Sequence, residues 1–185
     1  MLPDGTPVRV RSIRPADKYR LHFGFKRLSE QSRHRRFLHA KQELNKTELQ
    51  FLTHPDGEFH VALGMVEQRL FGFSGKGIGV GRFIRLHDNP DTAEVSLTVA
   101  DAYQGRGVGK LLLAYLTQVA IENGVQRFLF YTLGDNRPMQ HLLQKTGWDM
   151  KSEIELGAIT FDAQLVPSDY LSNVIEMAEQ PGRNK

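Results

Sequence analysis

The alternation of apolar and polar residues divides the chain into short strands and a few helices. Residues 8–14 (VRVRSIR) alternate with period two, as a half-buried strand does. Pro15 then ends the strand and opens a helical stretch to about Leu28. A second helix is expected over 45–53, where Asn45 can cap and Leu49 and Leu52 stand three residues apart on one face. EFHVALGMVEQ (58–68) reads as a strand. The glycine-dotted segment from Phe71 onward reads as a turn and then a strand over about 78–86, with the glycines at 75, 77, 79 and 81 marking close backbone neighbours.

TAEVSLTVA (92–100) is the next strand. In it Glu94, Ser96 and Thr98 share one face, while Val95, Leu97 and Val99 share the other. A helix of about 14 residues follows, apolar at Val108, Leu112, Leu116 and Val119 and closed by Asn123-Gly124. RFLFYTL (127–133) is apolar on both faces, as a central strand covered from above and below must be. A short helix, started by Asp135 or Asn136 with Pro138 in its first turn, carries Met139, Leu142 and Leu143 inward and stops near Gly147. WDMKSEIEL and AITFDAQL are the last two strands. The order β-α-α-β-β-β-α-β-α-β-β predicts an α/β (α+β) fold, with a mixed, mostly antiparallel sheet of about seven strands and helices on both faces. One domain is expected over 1–170, and residues 171–185 read as a C-terminal tail.

Composition narrows the chemistry. The 185 residues, 40% hydrophobic and 24% charged, fit one domain with a core of its own. There is no cysteine, so disulfides, thiolate metal sites and a thiol nucleophile are excluded, and a reducing cytoplasm is the expected compartment. The N-terminus has no apolar signal-like region, and no window approaches the roughly 18 apolar residues of a membrane span. A net charge of +3 and a pI near 9.2 suit an anionic ligand. Opposite charges are interspersed along most of the chain, so nucleic acid is not the expected partner. Seven histidines are scattered without ligand spacing, and no metal is expected.

The stretch DAYQGRGVGK (101–110) stands between a strand and a helix. A strand that enters a helix through glycines leaves the first helical N–H groups unpaired, with the positive end of the helix dipole behind them. Gly105, Gly107 and Gly109 let an anion such as a phosphate approach that backbone. Neither the P-loop pattern nor the dinucleotide fingerprint fits, because position 104 is Gln, position 110 is Lys and position 111 is Leu.

What the stretch does match is Gln-x-x-Gly-x-Gly, at Gln104, Gly107 and Gly109. It resembles the acyl-CoA-binding motif of the GNAT superfamily of N-acetyltransferases, and DNRPMQHLLQKTGW further along looks like that family's second signature. LSEQSRHRRFLHAKQELNKTELQFLT (28–53), GVGRFIRL and AEVSLTVADAYQGRGVGK resemble the GNAT domain of Pat-type bacterial protein lysine acetyltransferases, over most of residues 8–165. The nucleotide-sensing or synthetase-like domain that many of those proteins add is not expected within these 185 residues.

The resemblance implies a single GNAT-like domain that uses acetyl-CoA and no metal. The amides of Gly105, Arg106, Gly107, Val108, Gly109 and Lys110, with Gln104 in the motif, would hold the pyrophosphate. The backbone of Leu97, Thr98 and Val99 would pair with the pantetheine arm, and Asn136 would hydrogen-bond the arm as well as cap its helix. The expected acceptor is a protein lysine, on a partner such as an acyl-CoA synthetase. A small-molecule amine acetyltransferase and a non-catalytic acyl-CoA-binding module are the alternatives.

A lysine amine with a pKa of about 10.4 is free base to only about one part in 2,500 at pH 7, a handicap near 4.6 kcal/mol, so a general base is needed. Glu94 coincides with the glutamate base of the Pat-like proteins; as a bare pattern it is equally a surface carboxylate or an arginine's partner. Many GNAT enzymes place a tyrosine acid seven residues after the Asn, where this chain has Leu143; His141 or Tyr131 could substitute. With no obvious side-chain nucleophile, direct transfer is expected. The run Arg33, His34, Arg35, Arg36 reads as a solvated helix face, a dock for an acidic protein, or a contact to the 3′-phosphate of coenzyme A. Phe23, Phe25 and Phe37 read as core.

Overall fold

The computed structural model describes residues 1–68 and 74–180. Strand β1 (Val8–Ser12) leads through a 3-10 turn at Pro15–Asp17 into helices α1 (Lys18–Lys26), α2 (Glu30–Phe37) and α3 (Lys46–Thr53). Strands β2 (His60–Gln68), β3 (Ser74–Arg85) and β4 (Thr92–Val99) follow, then α4 (Val108–Glu122), β5 (Arg127–Leu133) and α5 (Arg137–Gln144). Strands β6 (Met150–Glu155) and β7 (Ala158–Gln164) and helix α6 (Asp169–Glu179) complete the order. The turn expected from Phe71 falls, over 69–73, outside the described residues.

The strands form one seven-stranded sheet in the order β1-β2-β3-β4-β5-β7-β6. Every neighbouring pair is antiparallel except β4 and β5, which run parallel. This is the mixed, mostly antiparallel sheet that the alternation predicts. Helix α4 covers one face. Its Val108, Leu112 and Leu116 are buried against β3, where a Cβ at Gly79 would come 2.8 Å from Val108 and one at Gly81 2.6 Å from Leu116. Those two glycines let the helix lie close on the sheet. Each fully buried leucine in the contact contributes about 1.5–3 kcal/mol.

The other face is covered by α1 to α3, which share a second apolar cluster of Phe25, Leu28, Leu44, Leu49 and Leu52. Asn45 begins α3 with a reciprocal cap: its side chain accepts from the Glu48 N–H, and Glu48 accepts from the Asn45 N–H. Two features differ from the sequence-based expectation. Helix α2 is a separate element that the apolar pattern does not reveal. Residues expected to form the tail belong instead to α6, because Leu171 and Val174 are buried in the main core. The remainder of that expected tail, 181–185, lies outside the described residues. Of the three phenylalanines read as core, Phe25 is buried, whereas Phe23 is 56% exposed.

A polar knot joins α3 to the sheet. Arg82 of β3 is 4% exposed; its Nη1 donates to the Leu52 carbonyl and, at 2.9 Å, to Nε2 of His60, and its Nη2 also reaches the Leu52 carbonyl. Nε2 must therefore be unprotonated. Burial, and then the charge of Arg82, lower the His60 pKa to about 4. A histidine held neutral in this way adds stability that is present above its ordinary pKa of 6.5 and is lost as pH falls through about 4. Thermal unfolding followed from pH 7 to pH 4 should show a falling midpoint, and His60→Gln should flatten that part of the curve.

Candidate active site

The parallel pair β4–β5 holds together only part of the way. Thr92 faces Arg127, and the pairing runs to Val95 opposite Phe130, yet β4 continues to Val99 and β5 to Leu133. Beyond Val95 the strands have no common register, and a gap opens between them. The Ala100 N–H donates to the Ile78 carbonyl on β3. By alternation the N–H groups of Leu97 and Val99 point the other way, into the gap. A strand edge of this kind can pair with an extended ligand.

At the end of that edge lies the glycine turn. Gly105 and Gly107 have φ of +74° and +90°, in the left-handed region that a side chain strains. Gly107 starts α4, and the Leu111 N–H donates back to its carbonyl. The N–H groups of Val108, Gly109 and Lys110 come before the first intrahelical acceptor and have none among the described residues. Gly109 needs no unusual φ. A Cβ there would stand 3.7 Å from Val99 and 3.9 Å from Leu142, between β4 and α5 at the mouth of the gap.

The turn is braced from outside. Arg106 donates from Nε to Asp4 at 2.6 Å and from Nη2 to Thr6, and it lies over the Tyr103 ring. The Arg106 guanidinium, with Thr6, holds Asp4 down at a pKa of about 2. The Gln104 side-chain amide donates to Ser32 Oγ, the Val99 carbonyl and Asp101. These two side chains brace the loop through their own hydrogen bonds and leave its N–H groups from Val108 to Lys110 unpaired. Asp101 also accepts from the Ser29 N–H and hydroxyl and from the Ser32 hydroxyl, and so fastens the start of α2 to the segment before the turn. Asp101 is a residue that the motif alone does not single out.

Helix α2 is thereby laid near the gap. Its Arg35 reaches Asp135, just ahead of α5, at 3.4 Å. The basic run is therefore not a solvated face: Arg33, Arg35 and Arg36 are half-buried, Arg33 lies over Phe25 and Arg36 over Phe37. Asn136 caps α5, its Oδ1 accepting from the Met139 N–H at 3.4 Å, while its side-chain NH2 has no acceptor among the described residues.

Glu94 is exposed, on the β4 face that also carries Ser96 and Thr98. Its charge, after burial, contributes to the raised pKa of Tyr131, which stands two residues beyond Leu129, the partner of Glu94 on β5, and so on the same face of the sheet. His141 is exposed on α5. Leu143 is fully buried in the core, which leaves no hydroxyl at that position. A carboxylate, a phenol, a backbone edge and a turn with unpaired N–H groups thus lie around one gap. Among the described residues no group of histidine, aspartate or glutamate could hold a metal ion, and no helix is long and apolar enough to cross a membrane.

Comparison with known proteins agrees with this geometry. The model of the acetyltransferase (GNAT) family matches residues 24–148. Acetyltransferase Pat of Mycolicibacterium smegmatis is 32% identical over 92% of this chain, and the chain spans about half (50%) of that protein's length. The crystal structure of the GNAT domain of S. lividans PAT superposes with a TM-score of 0.79 at 31% identity, covering 89% of this chain and 94% of that one. YncA of Salmonella typhimurium, described as an acetyltransferase with its cofactor acetyl-CoA, shares the fold at a TM-score of 0.66 and 17% identity, covering 88% and 95%.

The turn's glycines should separate in a denaturation series. Gly107→Ala, strained in φ and with its Cβ 3.1 Å from Pro3, should cost about 1–2 kcal/mol. Gly109→Ala has ordinary contacts, and its unfolding midpoint should stay near that of the parent.

Proposed function

The chain belongs to the acetyltransferase (GNAT) family, and from that premise we propose that it moves the acetyl group of acetyl-CoA directly to a protein lysine, with Glu94 as general base. The observation that carries this reading is the gap between β4 and β5, edged by free backbone and ending at the unpaired amides of α4. Coenzyme A offers a pyrophosphate for the amides of Gly105 to Lys110, and an amide-bearing arm for the backbone of Leu97, Thr98 and Val99. The free NH2 of Asn136 would donate to the arm from the opposite side.

The acceptor amine would meet Glu94 on the α1–α3 face of the sheet. Its proton would pass to the carboxylate, directly or through one water, as the nitrogen attacks the thioester carbonyl. A backbone N–H of β4 would face the developing oxyanion. The C–S bond then breaks, and the sulfur leaves as the thiolate of coenzyme A, which a proton from solvent or from the Tyr131 hydroxyl would neutralise. Likeness to a Pat acetyltransferase over 92% of the chain supports a protein amine as acceptor, and an acyl-CoA synthetase is the class of partner to try first.

Two variants test the halves of this reading separately. Glu94→Gln should leave acetyl-CoA affinity unchanged by calorimetry and lower kcat at pH 7 by about a hundredfold or more. Retention of more than half the parent rate from pH 6 to about pH 9 would remove Glu94 from the base role. Gly109→Leu, which puts a side chain in the mouth of the gap, should weaken acetyl-CoA binding by about tenfold or more while the protein remains folded.

A further inference from the structure

Beneath α1 to α3, on the face of β4 opposite the α4 core, lies a cavity of about 120 Å³. It is separate from the Glu94 side chain: Ser96 and Thr98 line it, and Glu94 does not. Most of its wall is apolar, with Leu21, Phe25, Leu28 and Phe37 among the lining residues. Its charges are one-sided. Arg11, Arg20, Arg36 and Arg82 line it against a single carboxylate, Asp17.

That carboxylate is already satisfied. Asp17 takes both terminal nitrogens of Arg11, at 2.7 and 2.6 Å, and the Arg14 N–H at 3.0 Å. Arg82 spends its hydrogen bonds on a carbonyl and a neutral imidazole, neither of which cancels its charge. The Arg36 guanidinium has no hydrogen bond or ion pair among the described residues; its contact is the Phe37 ring at 4.9 Å.

Desolvation lowers Arg36 to a pKa of about 10, and desolvation together with the nearby Arg36 charge lowers Arg82 to about 9. Two cations brought into one apolar pocket lose hydration and repel each other unless a counter-charge joins them. A ligand anion would offset that cost. A guanidinium pair grips a carboxylate by parallel N–H donors, and the hydroxyls of Ser96 and Thr98 can add to them. The apolar remainder of the wall suits a short aliphatic body better than a phosphate, which has none.

We propose that this cavity binds a short aliphatic carboxylate, with Arg36 and Arg82 on the carboxylate and the apolar wall on the chain. The ligand is either free or a part of the acceptor, since the cavity backs onto the strand that edges the gap. Binding itself needs no turnover, so the proposal can fail or hold independently of the transferase reading.

The probes are 4-methylpentanoate, its neutral amide and leucine. Calorimetry should show 4-methylpentanoate binding at millimolar concentration or below, with the amide weaker by about tenfold or more. Arg36 is the residue to vary, since Arg82 also ties α3 to β2. Arg36→Met keeps the apolar stem and should weaken the carboxylate by about tenfold while the circular-dichroism spectrum, which serves as the control for folding, stays that of the parent. Equal affinity for acid and amide, no binding of the acid at about 10 mM, or full affinity in Arg36→Met would each overturn the proposal. Leucine offered with acetyl-CoA distinguishes the sources: N-acetylleucine assigns the carboxylate to the acceptor, and binding without acetylation assigns it to a separate ligand.

Discussion

The site depends on a failure of pairing. Two parallel strands that share register at four positions, Thr92 to Val95 against Arg127 to Phe130, then separate, leaving backbone groups on β4 with no neighbour in the sheet. Buried backbone is costly to leave without a partner, so the fold surrounds the fork with other elements. Helix α4 starts beside the far end of β4, α5 starts where β5 ends, and α2 is carried across toward both. An extended ligand with amides along its length would complete what the sheet leaves open.

Fixing this arrangement falls to a few polar side chains. Asp101 gathers Ser29, Ser32 and Gln104, so the beginning of α2 and the approach to the glycine turn move as one piece. Arg35 makes the second attachment of α2, at Asp135. The apolar cores on the two faces of the sheet supply most of the stability, but they do not by themselves set the spacing around the fork. That spacing is set by hydrogen bonds between residues up to a hundred positions apart in sequence.

Most of the sheet is legible in the sequence because each face of each strand meets one environment. β4 alternates cleanly, and α4 carries its apolar stripe from Val108 onward. Helix α2 was not legible: EQSRHRRF has no apolar stripe, and it packs through arginine stems laid over Phe25 and Phe37. Helix α6 carries Leu171 and Val174 three residues apart, but its nearness to the chain end favoured a tail. The glycine turn could be placed from local spacing, whereas its bracing by Asp4 and Asp101 could not. Asp4 stands 102 residues from Arg106. The cavity was hidden for the same reason, since Arg82 and Arg36 come to one cavity only once α2 lies over β4 and β5.

The first few residues deserve a practical reading. Pro3 packs against Gly107, Asp4 holds Arg106, and the Met1 ammonium donates to the Ala178 carbonyl near the end of α6. A purification tag joined ahead of Met1 would pull on Pro3 and Asp4, the very residues that brace the glycine turn. Affinities measured on protein tagged at that end would then describe an altered loop.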